Sequence, residues 1–450
     1  MNVIIVGAGN VGSTSAEALS KVHDVLIIEK DPAKVDSART SVNASVLHDD
    51  GSNPKVLEAA IARVDADIML SAVPDDSLNL FICFMAKRIK PNIITVACLR
   101  DPDYIVKTAK EGVQGIDILV SPELITAGKI IKLATLENAV SYDDISNPGV
   151  ALATFRIDRN HGLVGKVVMD ISLPEDCNII AIYRGESAIL DNETAEIHAD
   201  DRICVLGSHA SMEQVNRIVG VEKEAKEFVI LGASIVGVEV AKALLRGGKK
   251  RFIKIIEKDE ALCRYASREL DDAVIVNADF VDPSVLRSEN VHRADVVISA
   301  STMDERNLLA CMAALRFGTK KIISKYSKRE YEGIFKYTGI ESIIGYHRVI
   351  SNEVIKHLVF DDRAVINTGH ENEYLFTSVL DKRSVLTGNR LGDVHMPEGV
   401  RIAAIVRGGE PLYPHMDTMF MPEDRVLVFT HMANPVEITK LLGQETPQEL

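Results

Sequence analysis

Residues 2–12 read NVIIVGAGNVG, and this stretch decides the fold of the chain. Residues 2–6 are apolar and mostly β-branched, which predicts a short buried strand, and a glycine-rich turn follows at once. Gly7 permits the tight turn, Gly9 lets the backbone approach a pyrophosphate, and Gly12 lets the next helix pack closely on the strand. The pyrophosphate then lies at the positive N-terminal end of that helix. The stretch therefore predicts a Rossmann-like domain that binds an adenine dinucleotide.

An acid follows the second predicted strand at the spacing that such a site needs. Residues 23–31 read HDVLIIEKD, which places Glu29 17 residues beyond Gly12. A carboxylate there accepts hydrogen bonds from the ribose hydroxyls, whereas it repels a 2′-phosphate. The position therefore predicts NAD(H) as the ligand in preference to NADP(H).

Two further positions at strand ends complete the candidate site. A turn of small and acidic residues follows the third strand, where adenine or ribose would lie, and it consists of Asp49, Asp50, Gly51 and Ser52. Arg100 follows the strand NIITVACL at 92–99, and two interpretations stay open for it. Its guanidinium pairs with a phosphate, or it forms an ion pair at the surface.

The wider pattern indicates the fold class. Apolar runs at 45–52, 66–73 and 92–98 alternate with helical stretches such as 54–63 and 77–90. Strands that alternate with helices predict an α/β domain with a doubly wound parallel sheet.

The whole pattern occurs twice, with the copies about 228 residues apart. Two pairs of segments match at a spacing of 228 residues, IIEKD at 27–31 and 255–259, and ADIMLSAVPDDSLNL at 66–80 and ADVVISASTMDERNL at 294–308. A third pair, LPEDCNIIAIYRGE at 173–186 and MPEGVRIAAIVRGGE at 396–410, follows in the same order. Such self-similarity predicts an internal duplication. Polar linkers then divide the chain into a Rossmann-like domain at 1–140, a small α+β domain at 141–224, a second Rossmann-like domain at 225–362 and a second small α+β domain at 363–450.

The second copy of the glycine loop departs from the first at its middle position. It consists of Gly232, Ala233, Ser234, Ile235, Val236 and Gly237. A serine side chain at 234 crowds the approach of a pyrophosphate, although the acid is retained as Glu257 and the turn after the third strand still carries Asp279. Both interpretations stay open, nucleotide binding in the second domain and a degenerate scaffold.

Composition and motifs exclude several classes of function. The net charge of −14 argues against nucleic acid as a ligand, because phosphate neutralisation requires a basic face. No stretch approaches the ~18 unbroken apolar residues of a membrane span, so the expected location is the cytoplasm. The six cysteines form no CxxC pair, and neither HExxH nor GxSxG occurs. We therefore expect buried thiols, no bound metal, no catalytic residues and no enzymatic activity.

The order of these motifs resembles one family. The glycine loop, IIEKD, DDGSNPKVL, ADIMLSAVPDDSLNL and VACLRDPDY follow one another as in the RCK/KTN domain, the regulator of potassium conductance. The small domains resemble the C-terminal RCK domain, and the resemblance covers essentially the whole chain. Carried onto this sequence, it implies a cofactor site formed by Gly7, Ala8, Gly9, Asn10, Val11, Glu29, Asp50, Gly51, Ser52, Ala72, Val73 and Arg100. Asp49 stands where the family more often has glycine.

The resemblance also implies a function and partners. Members form cytosolic rings beneath a membrane potassium-transporting subunit, here one of the Trk type, at the inner face of the plasma membrane. NAD(H), and ATP or ADP, bind the Rossmann-like domains and shift the ring between conformations. The duplicated chain implies a homo-oligomer, a tetramer of tandem chains. Two other functions stay open: an NAD-dependent oxidoreductase, and a nucleotide sensor that regulates something other than a potassium pore.

Overall fold

The computed structural model describes residues 1–20, 23–108, 113, 115–145, 149–185, 187–190, 193–220, 224–247, 250–358, 365–367, 373–432 and 435–443. The predicted domain boundary near 362 lies outside these ranges. The chain divides into two compact units. Residues 1–131 and 226–358 form the Rossmann unit, and the described parts of residues 132–225 and 359–450 form the small-sheet unit. Among the described residues, no helix has both the length and the apolar character needed to cross a bilayer.

The first Rossmann-like domain has six parallel strands in the order β3-β2-β1-β4-β5-β6. The strands are β1 Asn2–Val6, β2 Asp24–Glu29, β3 Ser45–His48, β4 Ile68–Ser71, β5 Ile94–Cys98 and β6 Ile118–Val120. The helices are α1 Asn10–Leu19, α2 Pro32–Ser41, α3 Pro54–Val64, α4 Asp76–Ile89, α5 Pro102–Thr108 and α6 Pro122–Thr135. The side chains of Asp31 and Asn53 cap α2 and α3. Both helices begin with proline, which suits the first helical position because the N–H there has no partner within the helix.

The first small domain is a five-stranded antiparallel sheet in the order β10-β9-β11-β8-β7. Its elements are β7 Ala139–Ile145, β8 Val150–Arg156, β9 Cys177–Arg184, β10 Ser187–Ile189, β11 Arg202–Gly207 and α7 His209–Val219, with a 3-10 turn at Val168–Asp170.

The second Rossmann-like domain repeats the first, with the strand order β14-β13-β12-β15-β16-β17. Its strands are β12 Glu227–Leu231, β13 Phe252–Glu257, β14 Ala273–Asn277, β15 Val296–Ser299, β16 Lys321–Tyr326 and β17 Ser342–Gly345. Its helices are α8 Ile235–Arg246, α9 Glu260–Glu269, α10 Pro283–Ser288, α11 Asp304–Arg316, α12 Tyr331–Tyr337 and α13 Tyr346–Leu358, with a 3-10 turn at Val291–Arg293. The predicted fold class, two Rossmann-like domains with a small α+β domain after each, is confirmed.

The second small domain has the sheet order β18-β19-β22-β20-β21. Its elements are β18 Val365–Asn367, β19 Glu373–Val379, β20 Val400–Arg407, β21 Glu410–Leu412, β22 Arg425–His431 and α14 Pro435–Leu442, with a 3-10 turn at Leu391–Asp393. Both small sheets contribute to one hydrophobic core, which contains Leu152 and Phe429. Tyr183 of the first sheet donates a hydrogen bond to the buried carboxylate of Glu373 in the second, at 2.9 Å.

A helix of the second Rossmann-like domain packs on the first. Helix α13 of the second domain packs on α1 of the first, and its Ile350 and Val354 belong to the core that contains Ile5. At its first residue, the Tyr346 hydroxyl donates to Glu123 at 2.8 Å, and burial raises the pKa of that carboxyl. The hydrophobic core of the first domain therefore includes residues of the second.

Candidate functional site

The first glycine loop has the backbone geometry that its sequence predicts. Gly7 has a φ of +100°, and a Cβ there would lie 2.9 Å from the Ala72 carbonyl oxygen. A Cβ on Gly12 would lie 1.8 Å from the Gly7 carbonyl oxygen, so this helix can approach the turn only with glycine there. Gly9 is the N-cap of α1, and a Cβ there would have no atom within 4 Å. The loop therefore leaves open space at the N-terminus of a helix, where an anion is stabilised.

The residues that follow Gly9 lie at the start of α1. Asn10 is its first residue and is exposed, whereas Val11 is half-buried against the core. The Ala8 carbonyl oxygen accepts a hydrogen bond from the Ser13 hydroxyl at 3.0 Å, which fixes the loop from its other side.

The predicted ribose acid is buried and already holds the loop. Glu29 is only 7% exposed; its Oε2 accepts the Ala8 N–H at 2.6 Å and its Oε1 accepts the Asp31 N–H at 2.8 Å. Glu257 accepts the equivalent N–H groups of Ala233 and Asp259 at 2.9 and 2.8 Å. Because an ionised carboxylate has about four acceptor positions, Glu29 retains capacity for a ribose hydroxyl. The acid thus has a structural role that its spacing did not reveal.

The turn after β3 is open and acidic. Asp50 is exposed, and its carboxylate accepts the Ser52 N–H at 2.9 Å and the Ser52 hydroxyl at 2.7 Å, which holds the pKa of Asp50 below its usual range. Gly51 is buried, and a Cβ there would lie 2.4 Å from the Val6 side chain. The turn therefore lies directly beside the end of β1.

Asn79 organises the crevice at the carboxyl ends of β4 and β5, although the sequence analysis assigned it no role. It is 1% exposed, and its side chain bonds both the N–H and the carbonyl of Val73, at 2.9 Å each. It also accepts from the Ser71 hydroxyl at 2.8 Å and donates to the Cys98 carbonyl at 2.7 Å. These bonds fix the ends of β4 and β5, and with them the predicted site residues Ala72 and Val73.

Asn307 makes the same four bonds in the second domain, to Ser299, Ser301 and the Lys325 carbonyl, at 2.8 to 3.1 Å. The sequence contained one signal for this role, namely that asparagine occurs at the same position in both copies. It identifies Asn79 and Asn307 as shared parts of the frame.

Arg100 lies at the rim of this crevice. Its backbone N–H donates to Asp76 at 3.0 Å, and the Asp101 N–H donates to the same carboxylate at 2.9 Å. Its side chain is exposed and forms no salt bridge with any described residue. The phosphate-binding interpretation therefore stays a prediction, and Asp76 is the group that positions the loop.

The second glycine loop has the same turn but a different helix start. Gly232 has a φ of +105°, and a Cβ on Gly237 would lie 2.4 Å from the Gly232 carbonyl oxygen. Ala233 and Val236 are buried, and Ile235 is the half-buried first residue of α8. Ser234 caps the helix through its hydroxyl.

Other parts of the described chain offer no alternative site of the expected kind. No three metal-ligating side chains are grouped within the described ranges. The six cysteines are buried, and burial raises the pKa of the Cys98 thiol to about 12. A cavity of about 800 Å³ lies in the small-sheet unit, with Asn178, Arg401 and His431 among its lining residues, and it contains none of the predicted site residues.

Comparison with known proteins gives consistent matches. The TrkA-N domain family matches residues 3–122 and 228–346, and the TrkA-C domain family matches residues 152–220 and 375–443. The chain is 29% identical to Trk system potassium uptake protein TrkA homolog 1 of Methanosarcina mazei over 449 residues, which covers 98% of this chain and 99% of the relative. It is 31% identical to the TrkA homolog of Archaeoglobus fulgidus over 433 residues, or 95% and 97% of the two chains.

The fold is also that of a solved channel. The structure described as GsuK channel bound to NAD superposes with a TM-score of 0.62 at 16% identity, over 96% of this chain and 77% of that chain. The family resemblance found in the ordered motifs is confirmed. The chain therefore belongs to the TrkA family, with two TrkA-N domains and two TrkA-C domains in tandem.

Proposed function

We propose that this chain is a cytosolic regulatory subunit of a potassium uptake transporter, and that its first Rossmann-like domain senses NAD(H). The observation that carries the proposal is the open space at Gly9, at the N-terminus of α1, with an acid at the end of β2. The relatives that match almost the whole chain are Trk system potassium uptake proteins, which supports a membrane potassium-transporting subunit of the Trk type as the partner.

The same geometry supports the choice of nucleotide. The pyrophosphate faces the N–H groups of Asn10 and Val11, and the adenosine half extends along the end of β2 towards Asp50. The buried Glu29 carboxylate disfavours a 2′-phosphate, so NAD(H) is favoured over NADP(H). ATP and ADP share the adenosine and phosphate groups and would bind in the same place. One solved structure of the same fold is described as a channel bound to NAD.

The surface of the second Rossmann-like domain supports a homo-oligomer. Leu309, Met312 and Leu315 form a stripe at three-residue spacing along α11, with side chains 53%, 45% and 39% exposed. Ile334 and Tyr337 of α12 are also exposed, and α12 ends beside Leu315, since a Cβ on Gly339 would lie 3.8 Å from that side chain. Apolar residues grouped in this way mark an interface, and a second copy of the chain is the occupant that a ring requires.

We expect the double substitution Leu309→Asp/Met312→Asp to break this assembly, because two carboxylates would have to be buried unpaired. Light scattering after size-exclusion chromatography should give about four chains for the wild type, the number that the resemblance implies, and a smaller mass for the variant. Leu262→Asp, an equally drastic change of an exposed leucine on α9, is the control and should leave the mass unchanged. An unchanged mass in the double variant would show that this stripe is not the interface.

Regulation then follows from a shift in population. A nucleotide can bias two ring conformations only by the difference between its affinities for them, and that difference is typically about 5- to 150-fold. Contacts across the Rossmann unit, such as Tyr346 with Glu123, would transmit it from one domain to the other.

The test is potassium flux. The Trk-type membrane subunit of the same organism is reconstituted in liposomes with this protein, and rubidium uptake is measured with and without NADH, NAD, ATP and ADP. We expect at least one nucleotide to change the uptake rate by about fivefold or more, and Gly9→Asp to abolish the response. Equal rates under all conditions would refute the regulatory function, and consumption of NADH during the assay would favour an oxidoreductase instead.

A further inference from the structure

The second Rossmann-like domain has side chains of its own where the first leaves open space or a smaller residue. We propose that these side chains close the second site, so that each chain binds one dinucleotide, in its first Rossmann-like domain. This inference rests on the proposed function of the first site and decides between the two interpretations of Ser234. The equivalent positions are Gly9 and Ser234, Gly51 and Phe280, Leu78 and Arg306, and Cys98 and Lys325.

At the phosphate end, the Ser234 side chain accepts a hydrogen bond from a free N–H group at the start of α8. Its hydroxyl accepts the Gly237 N–H at 3.3 Å and donates to the Ala300 carbonyl at 2.5 Å, so the side chain bridges the start of α8 and the end of β15. The residue is buried. In the first domain the same N–H groups have no side-chain cap, because Gly9 has no side chain. A pyrophosphate in the second domain would have to displace a hydrogen-bonded serine that already occupies its position.

At the adenosine end, charged side chains cover the turn after β14. Asp279, the counterpart of Asp50, binds Arg306 at 2.5 Å through one carboxylate oxygen and Lys258 at 3.0 Å through the other. The Arg306 guanidinium also lies 4.7 Å from the ring centre of Phe280. Asp50, by contrast, is exposed, and its carboxylate accepts hydrogen bonds from the N–H and hydroxyl of Ser52 in its own turn and forms no salt bridge with a described residue. Both oxygens of the second acid are thus engaged by cations from the same domain.

The crevice between these two ends also gains a long side chain. Lys325 stands at the end of β16, where the first domain has Cys98, and is 4% exposed. Its ammonium lies 5.6 Å from the ring centre of Tyr346 and 3.4 Å from the Ser327 hydroxyl. The side chains at the four positions thus contact groups of the second domain itself. The backbone of the glycine loop is nevertheless the same as in the first domain, with Gly232, Gly237 and Glu257 in equivalent places.

Calorimetric titration with NADH tests the inference. We expect one site per chain for the wild type, and no saturable binding for Gly9→Asp. The matched control is Ser234→Asp, which introduces the same side chain at the equivalent position of the second domain, where aspartate can still cap the helix. Because the first domain is unchanged, we expect one site per chain with a Kd within about twofold of that of the wild type. Two sites in the wild type, or one site that persists in Gly9→Asp, would overturn the inference and leave the nucleotide-sensing function intact. No binding in the wild type would instead refute the proposed function.

A second variant tests which side chains close the site. Ser234→Gly/Arg306→Leu restores the residues of the first domain at two positions and is made in the Gly9→Asp chain, so that any NADH binding comes from the second domain. We expect a new saturable site with a Kd at least tenfold weaker than that of the wild type, because Phe280 and Lys325 remain. Circular dichroism and the unfolding temperature establish that the variant is folded. A folded variant without binding would overturn the assignment of closure to Ser234 and Arg306.

Discussion

Substitution of Gly9 by aspartate should weaken NADH binding at least about 100-fold, the largest effect on affinity that we expect from one side chain. Gly9 is the N-cap of α1 and has open space in front of it, so the domain tolerates the new side chain. The carboxylate then occupies the place of the pyrophosphate and repels it, while it caps the helix N–H groups that would otherwise bind the phosphate. Calorimetric titration should give the Kd of the wild type and no saturable binding for the variant.

The matched control is Gly162→Asp. Gly162 is exposed in the first small domain, has no atom within 4 Å of a built Cβ, and receives the same change of charge. We expect its Kd for NADH to equal that of the wild type. Equal affinities for Gly9→Asp and Gly162→Asp would show that the glycine loop does not hold the phosphates.

The second large effect is on stability. Asn79→Leu should lower the free energy of unfolding by about 3 kcal/mol, because the half-buried N–H and carbonyl of Val73 and the buried carbonyl of Cys98 lose their partner. Leucine has the same branched arrangement of four side-chain heavy atoms, so the substitution leaves no cavity and the loss reports on the hydrogen bonds. Chemical denaturation followed by circular dichroism measures it. NADH affinity should fall as well, since Val73 lines the predicted site.

Two comparisons make this prediction specific. Asn307→Leu removes the same four bonds in the second domain and should lower stability by a similar amount without changing the Kd of the first site. Asn160→Leu, in an exposed turn, should change stability by less than about 0.5 kcal/mol. If Asn79→Leu is as stable as Asn160→Leu, the four-bond network does not fix the crevice.

Much of the frame was predictable because backbone geometry restricts the choice of residue at a few positions. Only glycine fits at three positions, because a Cβ there would lie within 3 Å of another atom; these are Gly7, Gly12 and Gly51. Glycine at those spacings therefore predicts the turn itself. The duplication was equally visible, since IIEKD occurs in both copies at the same strand end. The domain limits near 140, 224 and 362 and the individual site residues stay predictions.

The remainder depends on contacts between residues that are distant in the sequence. That Glu29 holds the loop, and that Arg306 reaches Asp279, follows from tertiary packing and not from spacing. The sequence shows that Ser234 departs from the glycine of the first loop. Its hydrogen bond to Ala300 could not be predicted, because that partner lies 66 residues away. The packing of α13 on the first domain could not be predicted either, since the amphipathic pattern of a helix does not show which sheet the helix covers.

The packing of α13 on the first domain has a consequence for how the two halves of the gene can diverge. Since Ile350 and Val354 belong to the core that contains Ile5, part of the core of the first half comes from the second. A loss of ligand contacts in the second half is then tolerated, whereas a loss of its fold would remove the first half as well. Covalent linkage keeps the two halves together at every expression level. The duplicated copy can therefore drift in its loops while selection preserves its architecture.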